Sequence, residues 1–196
     1  MKKHFYIFRH GQTIWNAEGR PQGQSETPVP LTLIGVEQAH RLAQKLSDKK
    51  IKLIVSSDLL RAKQTAEIVA EELKVPVKFD ARLREVDYGI LNGLYALERE
   101  EICPDYRKSY EDVSIPFPQG ESLLAVSLRL KAVLEELAHN CSNRVIGISS
   151  HGHAIGALIE SLFGYKMQRL ENCDYVHITY SPEKNLYEGI ELQPAR

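Results

Sequence analysis

The residues best suited to chemistry in this 196-residue chain are two arginines and two histidines far apart in sequence: Arg9 and His10, Arg61, and His151. Two permanent cations and two imidazoles gathered in one place would be costly unless an anion sat among them. A phosphoryl group is the natural occupant. Arginine offers planar, bidentate donors to phosphate oxygens, and histidine can act as a nucleophile and carry the group covalently. Taken singly, each has a plainer explanation. An Arg-His pair after a strand is ordinarily a satisfied surface pair; Asp58, Arg61 and Gln64 read as an ordinary capped helix start; His151 could be a core histidine or half of a metal pair with His153. Metal is the weaker option, since i,i+2 spacing brings no neighbouring carboxylate or third histidine.

The elements that must position these residues can be read from periodicity. Phe5–Phe8 is a short aromatic and β-branched run, so Arg9-His10-Gly11 falls at the C-terminal end of a buried strand. Thr32 offers an N-cap to a helix carrying Val36, Ala39, Leu42, Ala43 and Leu46, ending near Ser47. Ile51–Val55 reads as a second strand running into Ser56-Ser57-Asp58, with Asp58 capping a helix that has Arg61 in its first turn and Ala62, Ala66, Val69 and Leu73 on one face. Val75–Phe79 reads as a third strand, Leu83–Gly93 as a loop holding Glu85, and Cys103–Gly120 as irregular, part of a lid-like insertion around residues 91–120. A helix over Leu123–Leu137, a strand over Arg144–Ser149, the segment Ser150-His151-Gly152-His153 and a helix over Ala154–Phe163 repeat the opening pattern. Val176–Tyr180 and Leu186–Leu192 close the chain as a hairpin or edge pair. Alternating strands and helices imply an α/β fold: a mostly parallel central sheet between two helical layers. Ligands bind beyond the carboxyl ends of such strands, which is where His10, the Ser56–Arg61 segment and His151 would converge.

These blocks also resemble a family. Arg9-His10-Gly11-Gln12-Thr13 with Trp15-Asn16, Gln22-Gly23, Leu31-Thr32 with Gly35 and Gln38-Ala39, Ser56 to Ala66, Leu83-Arg84-Glu85 with Gly89, and Ser150-His151-Gly152 stand in the order found in the histidine phosphatase superfamily, the group that includes cofactor-dependent phosphoglycerate mutases. The resemblance implies the three-layer α/β/α sandwich of that group, His10 as nucleophile, Arg9, Arg61 and His151 as phosphoryl ligands, and Glu85 as donor of the leaving-group proton. It further implies that Thr13, Asn16, Gln22, Gly23 and Gly152 support phosphate or substrate. The chemistry agrees. His10 must attack through a neutral nitrogen, its other N–H fixed by a carbonyl, while the arginines spread charge over the equatorial oxygens and leave magnesium unnecessary. An alkoxide leaves badly without an acid, so Glu85 is expected to supply the proton, with Asp87 the nearby alternative.

The mutases of the family carry a longer, more basic insertion between the acid and the second histidine. Here that segment is shorter, although Arg99, Arg107 and Lys108 could meet an acidic substrate, so water is the expected acceptor and a phosphatase the expected enzyme. Pro118 to Ser122 resembles the small phosphatases, including the α-ribazole phosphatases and broad-specificity enzymes. Ser25–Pro30 is longer than the family's usual link. Mutase-type transfer and a noncatalytic phospho-ligand module are the alternatives, the second disfavoured by His10 and Glu85 being present together.

The remaining expectations come from composition. The chain is 43% hydrophobic and 26% charged with a formal net charge of -1 and scattered basic residues, which argues for one compact domain spanning 1–196 and against a nucleic-acid or membrane partner. Cys103, Cys141 and Cys173 are far apart and read as reduced thiols. The apolar run at the start is too short for a signal peptide, so a cytoplasmic location is expected. No cofactor and no metal are expected, the partner being a small phosphorylated metabolite. The closing strands could pair across a two-fold axis to form a homodimer.

Overall fold

The computed structural model describes residues 1–164, 166 and 170–193. Its strands are β1 (Lys3–Arg9), β2 (Ile54–Ser56), β3 (Val77–Phe79), β4 (Val145–Ser150), β5 (Tyr175–Ser181) and β6 (Leu186–Gln193). Its helices are α1 (Ile14–Ala17), α2 (Leu33–Leu46), α3 (Leu60–Leu73), α4 (Ala96–Ile102), α5 (Lys108–Glu111), α6 (Leu123–Asn140) and α7 (Gly152–Phe163).

The strands form one sheet in the order β3-β2-β4-β1-β5-β6. The pairs β3–β2, β2–β4 and β4–β1 are parallel, and β5 and β6 run antiparallel at the far edge. Because side chains alternate across a strand, β1 sends Phe5 and Ile7 to one face and Phe8 to the other. The first face is covered by α6 and α7 through Val126, Leu130, Val133, Leu134, Ile155, Leu158 and Ile159. The second is covered by α2 and α3 through Ala39, Leu42, Leu46, Ala66 and Val69. The result is the three-layer α/β/α sandwich with a mostly parallel sheet, as expected.

Several boundaries differ from the sequence reading, each for a physical reason. Asp58 does not cap α3. Leu59 takes that position without a side-chain bond, because both Asp58 oxygens are held by Arg84 at 2.6 Å. Strand β2 begins three residues later than periodicity suggests, yet Lys52 N already donates to Val145 O at 3.2 Å, so pairing starts before the regular ladder. Helix α7 begins at Gly152 with His151 at its N-cap, two residues earlier than expected. The 91–120 segment is less irregular than it reads: it contains α4 and α5, and Tyr106 and Phe117 from it enter the core. Thr32 caps α2 as expected, accepting from Gly35 N at 3.0 Å.

The loop after β1 lies against the start of α2, backbone on backbone. A Cβ on Gly11 would meet Gly35 O at 2.4 Å, and one on Gly35 would meet Gln12 O at 2.1 Å. Only glycine allows so close an approach, and the contact fixes the loop that carries His10.

Candidate active site

Adjacent parallel strands β2, β4 and β1 each deliver a polar residue immediately past their last position: Ser57, His151 and His10. The ladder continues into these positions. His10 N donates to Ser150 O at 3.1 Å and Ser57 N to Ser149 O at 2.9 Å, so strand register fixes where each side chain starts. His10 and His151 face each other with ring centroids 5.1 Å apart, and both are buried.

The tautomer of His10 follows from its partner. Nδ1 lies 2.7 Å from the carbonyl oxygen of Gly11, which can only accept, so the proton sits on Nδ1 and Nε2 is left with a lone pair. Arg61 Nε donates to that Nε2 at 3.2 Å, and Arg61 Nη2 donates to Gly23 O at 2.8 Å. Burial, then the charges of Arg61 and Arg9, hold His10 well below the ordinary histidine pKa. His151 is held down in the same way by burial, Arg61 and His10. Burial also lowers the Arg61 guanidinium to about 10. The site therefore keeps both imidazoles neutral while concentrating positive charge around them.

Arg9 follows the last turn of this logic. Its Nη1 donates to Leu170 O at 2.5 Å, and its side chain passes against Gly152, where a Cβ would come 3.4 Å from Arg9 Nε. Glu85 is buried in the loop after β3. Its carboxyl accepts from Ala154 N at 2.8 Å, His153 N at 3.2 Å and Val86 N at 3.0 Å. Two of these donors are orphan N–H groups of the first turn of α7, so Glu85 performs the capping that His151 does not. Arg129 from α6 holds the loop behind it, donating to Glu85 O at 2.9 Å, Arg84 O at 2.6 Å and Arg82 O at 2.7 Å.

A cavity of about 390 Å³ brings Arg9, His10, Asn16, Gln22, Gly23, Arg61, Glu85 and Gly152 to one wall system. Thr13 is not on it. It is fully buried and caps α1, accepting from Asn16 N at 3.3 Å while Asn16 Oδ1 accepts from Thr13 N at 3.1 Å. Asp87, the alternative acid, is also elsewhere: its Oδ1 accepts from Gly89 N at 2.9 Å and Asn92 Nδ2 at 2.7 Å, tying a turn. Of the basic residues in the 91–120 segment, Arg99 lines the cavity, whereas Arg107 pairs with Glu100 and Lys108 with Asp105 at the exposed surface. His153 bonds Tyr88 Oη through Nδ1 at 2.6 Å. Among the described residues no three His, Cys, Asp or Glu side chains cluster as metal ligands.

Sequence reasoning passed over several residues that the fold brings in. Tyr88, Tyr110 and Arg20 line the cavity, and Asn172 donates to His10 O at 2.9 Å and to Asn16 Oδ1 at 3.2 Å. Ser57 stood inside a recognised block without a role. Nothing local in the sequence marks Asn172 or Arg129, whose importance depends on contacts across more than 40 residues.

The family model of the histidine phosphatase superfamily (branch 1) matches residues 5–192. The chain belongs to that superfamily. It is 35% identical over 199 residues to a protein named as a probable phosphoglycerate mutase, GpmB, of Yersinia pestis, covering 97% of this chain and 91% of that one. Among solved structures, the native mycobacterial glucosyl-3-phosphoglycerate phosphatase superposes with a TM-score of 0.88 at 27% identity, covering 100% of both chains. The same mycobacterial phosphatase in complex with VO3 gives a TM-score of 0.85 at 28% identity, covering 97% of each chain. The superfamily and these neighbours support a phosphatase or mutase enzyme. Among the described residues no helix is long and apolar enough to cross a membrane.

Proposed function

We propose that this chain is a metal-independent phosphomonoester hydrolase that passes the phosphoryl group of a small metabolite through His10 to water. The observation that carries the reading is the state of His10: Nδ1–H is committed to the Gly11 carbonyl, and the Nε2 lone pair sits beside Arg61 in the same cavity as Glu85. In the first step His10 Nε2 attacks phosphorus as the P–O bond to the leaving group breaks, and Glu85 transfers its proton to the departing oxygen. Arg9, Arg61 and His151 take up charge on the equatorial oxygens, a role that in other enzymes often falls to magnesium. In the second step Glu85, now a carboxylate, accepts a proton from water as the water oxygen attacks phosphorus and the P–N bond breaks. His10 returns to its starting tautomer and phosphate leaves.

The mycobacterial neighbour was solved in complex with VO3, an oxyanion of the kind this reading expects the cavity here to hold. The segment of residues 91–120 is read as a lid that adds Arg99 and Tyr110 to the cavity wall. Mutase action is the second reading, favoured by the name of the Yersinia relative. The outward pairing of Arg107 and Lys108 speaks for hydrolysis, because it leaves fewer cations at the cavity to retain a bisphosphorylated intermediate.

A panel of phosphorylated metabolites assayed in excess EDTA tests the proposal. Phosphate release is expected to continue in chelator and to exceed any interconversion of 2- and 3-phosphoglycerate. Turnover lost in chelator and restored by a divalent metal would contradict the metal-free mechanism. Rapid isomerisation primed by 2,3-bisphosphoglycerate with little free phosphate would favour the mutase.

A further inference from the structure

We infer that Ser57 is the positioning residue that decides which nitrogen of His151 carries its proton, and thereby makes His151 a hydrogen-bond donor toward the phosphoryl group. The Ser57 hydroxyl oxygen lies 2.8 Å from His151 Nε2 and accepts the backbone N–H of Leu59 at 3.3 Å. Both side chains are 0% exposed, so neither turns to bulk water for a partner. Among the described residues Ser57 Oγ has no further hydrogen bond, and His151 Nδ1 is buried without one.

Two arrangements fit the 2.8 Å contact. If His151 Nε2–H donated to Ser57, the hydroxyl proton would have no acceptor and the Nδ1 lone pair no donor, which leaves two buried polar groups unsatisfied. If the hydroxyl donates to Nε2, the only group left over is Nδ1–H. Each buried orphan is costly, so the second arrangement prevails. The remaining N–H belongs to a ring tilted against that of His10 with centroids 5.1 Å apart, and the His10 ring carries the nitrogen proposed to attack. A phosphoryl oxygen bound there is an acceptor of the right kind, and the transition state gains most from such a donor because charge grows on those oxygens. Strand register supports the arrangement: Ser57 N bonds Ser149 O at 2.9 Å, and the paired residues Ser56 and Ser149 immediately precede Ser57 and Ser150-His151.

The kinetic side of this inference rests on the proposed hydrolysis, but the tautomer is readable in the resting protein. Full-length protein labelled with ¹⁵N-histidine would be measured by long-range ¹H–¹⁵N correlation at neutral pH, with His151 assigned by its loss in His151→Gln. The expected pattern is a protonated Nδ1 and a bare Nε2, with the Nδ1 signal moving on titration with inorganic phosphate. In Ser57→Ala the pattern should change to Nε2–H or a mixture. Single-turnover phosphoryl transfer should then fall by roughly tenfold or more, up to the about 10²–10³-fold typical of losing one transition-state donor. Ser57→Thr, which keeps the hydroxyl, should restore both. A wild-type protein with Nε2–H, or Ser57→Ala with the wild-type tautomer, would overturn the inference. If Ser57→Ala does not fold, the wild-type tautomer, its response to phosphate and Ser57→Thr decide the matter. Failure of every phosphomonoester to turn over would sink the hydrolase reading instead and would leave the tautomer result standing.

Discussion

Glu85 has two duties in this structure, and they pull on the same atoms. Its oxygens accept three backbone N–H groups, two from the start of α7, and the same carboxyl lines the cavity with His10. Glu85→Gln keeps an acceptor oxygen but removes the transferable proton. Single-turnover formation of the phosphoenzyme from an alkyl phosphate should therefore slow by about 10²–10⁴-fold, the usual contribution of a general acid. p-Nitrophenyl phosphate should suffer much less, since its phenolate leaves unaided. Equal losses for both substrates would show that Glu85 acts through structure alone, and a selective loss in Asp87→Asn would move the acid there. At this scale the sequence was legible where residue type and place in the fold coincide, as at His10, Arg61 and Glu85, which the fold brings to one cavity. It was opaque at Thr13, which a motif position marks for phosphate but whose hydroxyl is committed to capping α1. It was opaque also at Asn172, whose neighbours in sequence say nothing of its bond to His10 O.

Elements hold the nucleophile by contact between backbones. Gly35, in the first turn of α2, lies against Gln12, two residues past His10, and Gln38 Oε1 accepts from Gln12 N at 2.9 Å. Gly35→Ala would place a methyl 2.1 Å from Gln12 O unless the loop withdraws. Overpacking of this kind costs about 1–3 kcal/mol, and the withdrawal would carry Gly11, whose carbonyl orients His10, with it. The denaturation midpoint should drop, and kcat/KM should fall more than the loss of folded protein accounts for. An unchanged midpoint and unchanged activity would show that the loop is not fixed by this contact. Periodicity found the long helices and the buried strands, because α2, α6 and β4 each bury one coherent set of side chains. It missed α4 and α5, which are short and bury almost nothing of their own. Boundaries slipped where a side chain had a better partner than the local backbone, as when Arg84 drew Asp58 away from α3.

The molecule as a whole carries the cost of this site in its pH dependence. His10 and His151 are both held well below the ordinary histidine pKa by burial and by neighbouring positive charge. Unfolded, they take up protons as pH falls below about 6.5, whereas the folded protein resists doing so. The unfolded state then binds more protons, so stability must fall as pH drops through this window, by roughly 1 kcal/mol per pH unit for each histidine. His4, lowered chiefly by burial, adds to the trend. Urea unfolding from pH 7 to pH 5 should show the decline, and His10→Asn should flatten part of it; a stability that stays level over that range would contradict the charge balance described. The global architecture was legible because strand, helix and motif alternate in the order a parallel sheet requires, and three strand ends on adjacent strands meet at one edge. The identity of the metabolite was not legible, since the cavity wall beyond the phosphoryl end is built by side chains such as Arg20, Arg99 and Tyr110 that only the folded 91–120 segment and its neighbours bring together. The central claim, a covalent phosphoryl group on His10, is tested most directly by quenching the enzyme during turnover without acid and locating the phosphate by mass spectrometry. The account predicts an acid-labile, alkali-stable phosphate on the peptide containing His10 and its absence in His10→Ala; phosphate found on His151, or normal turnover by His10→Ala, would contradict it.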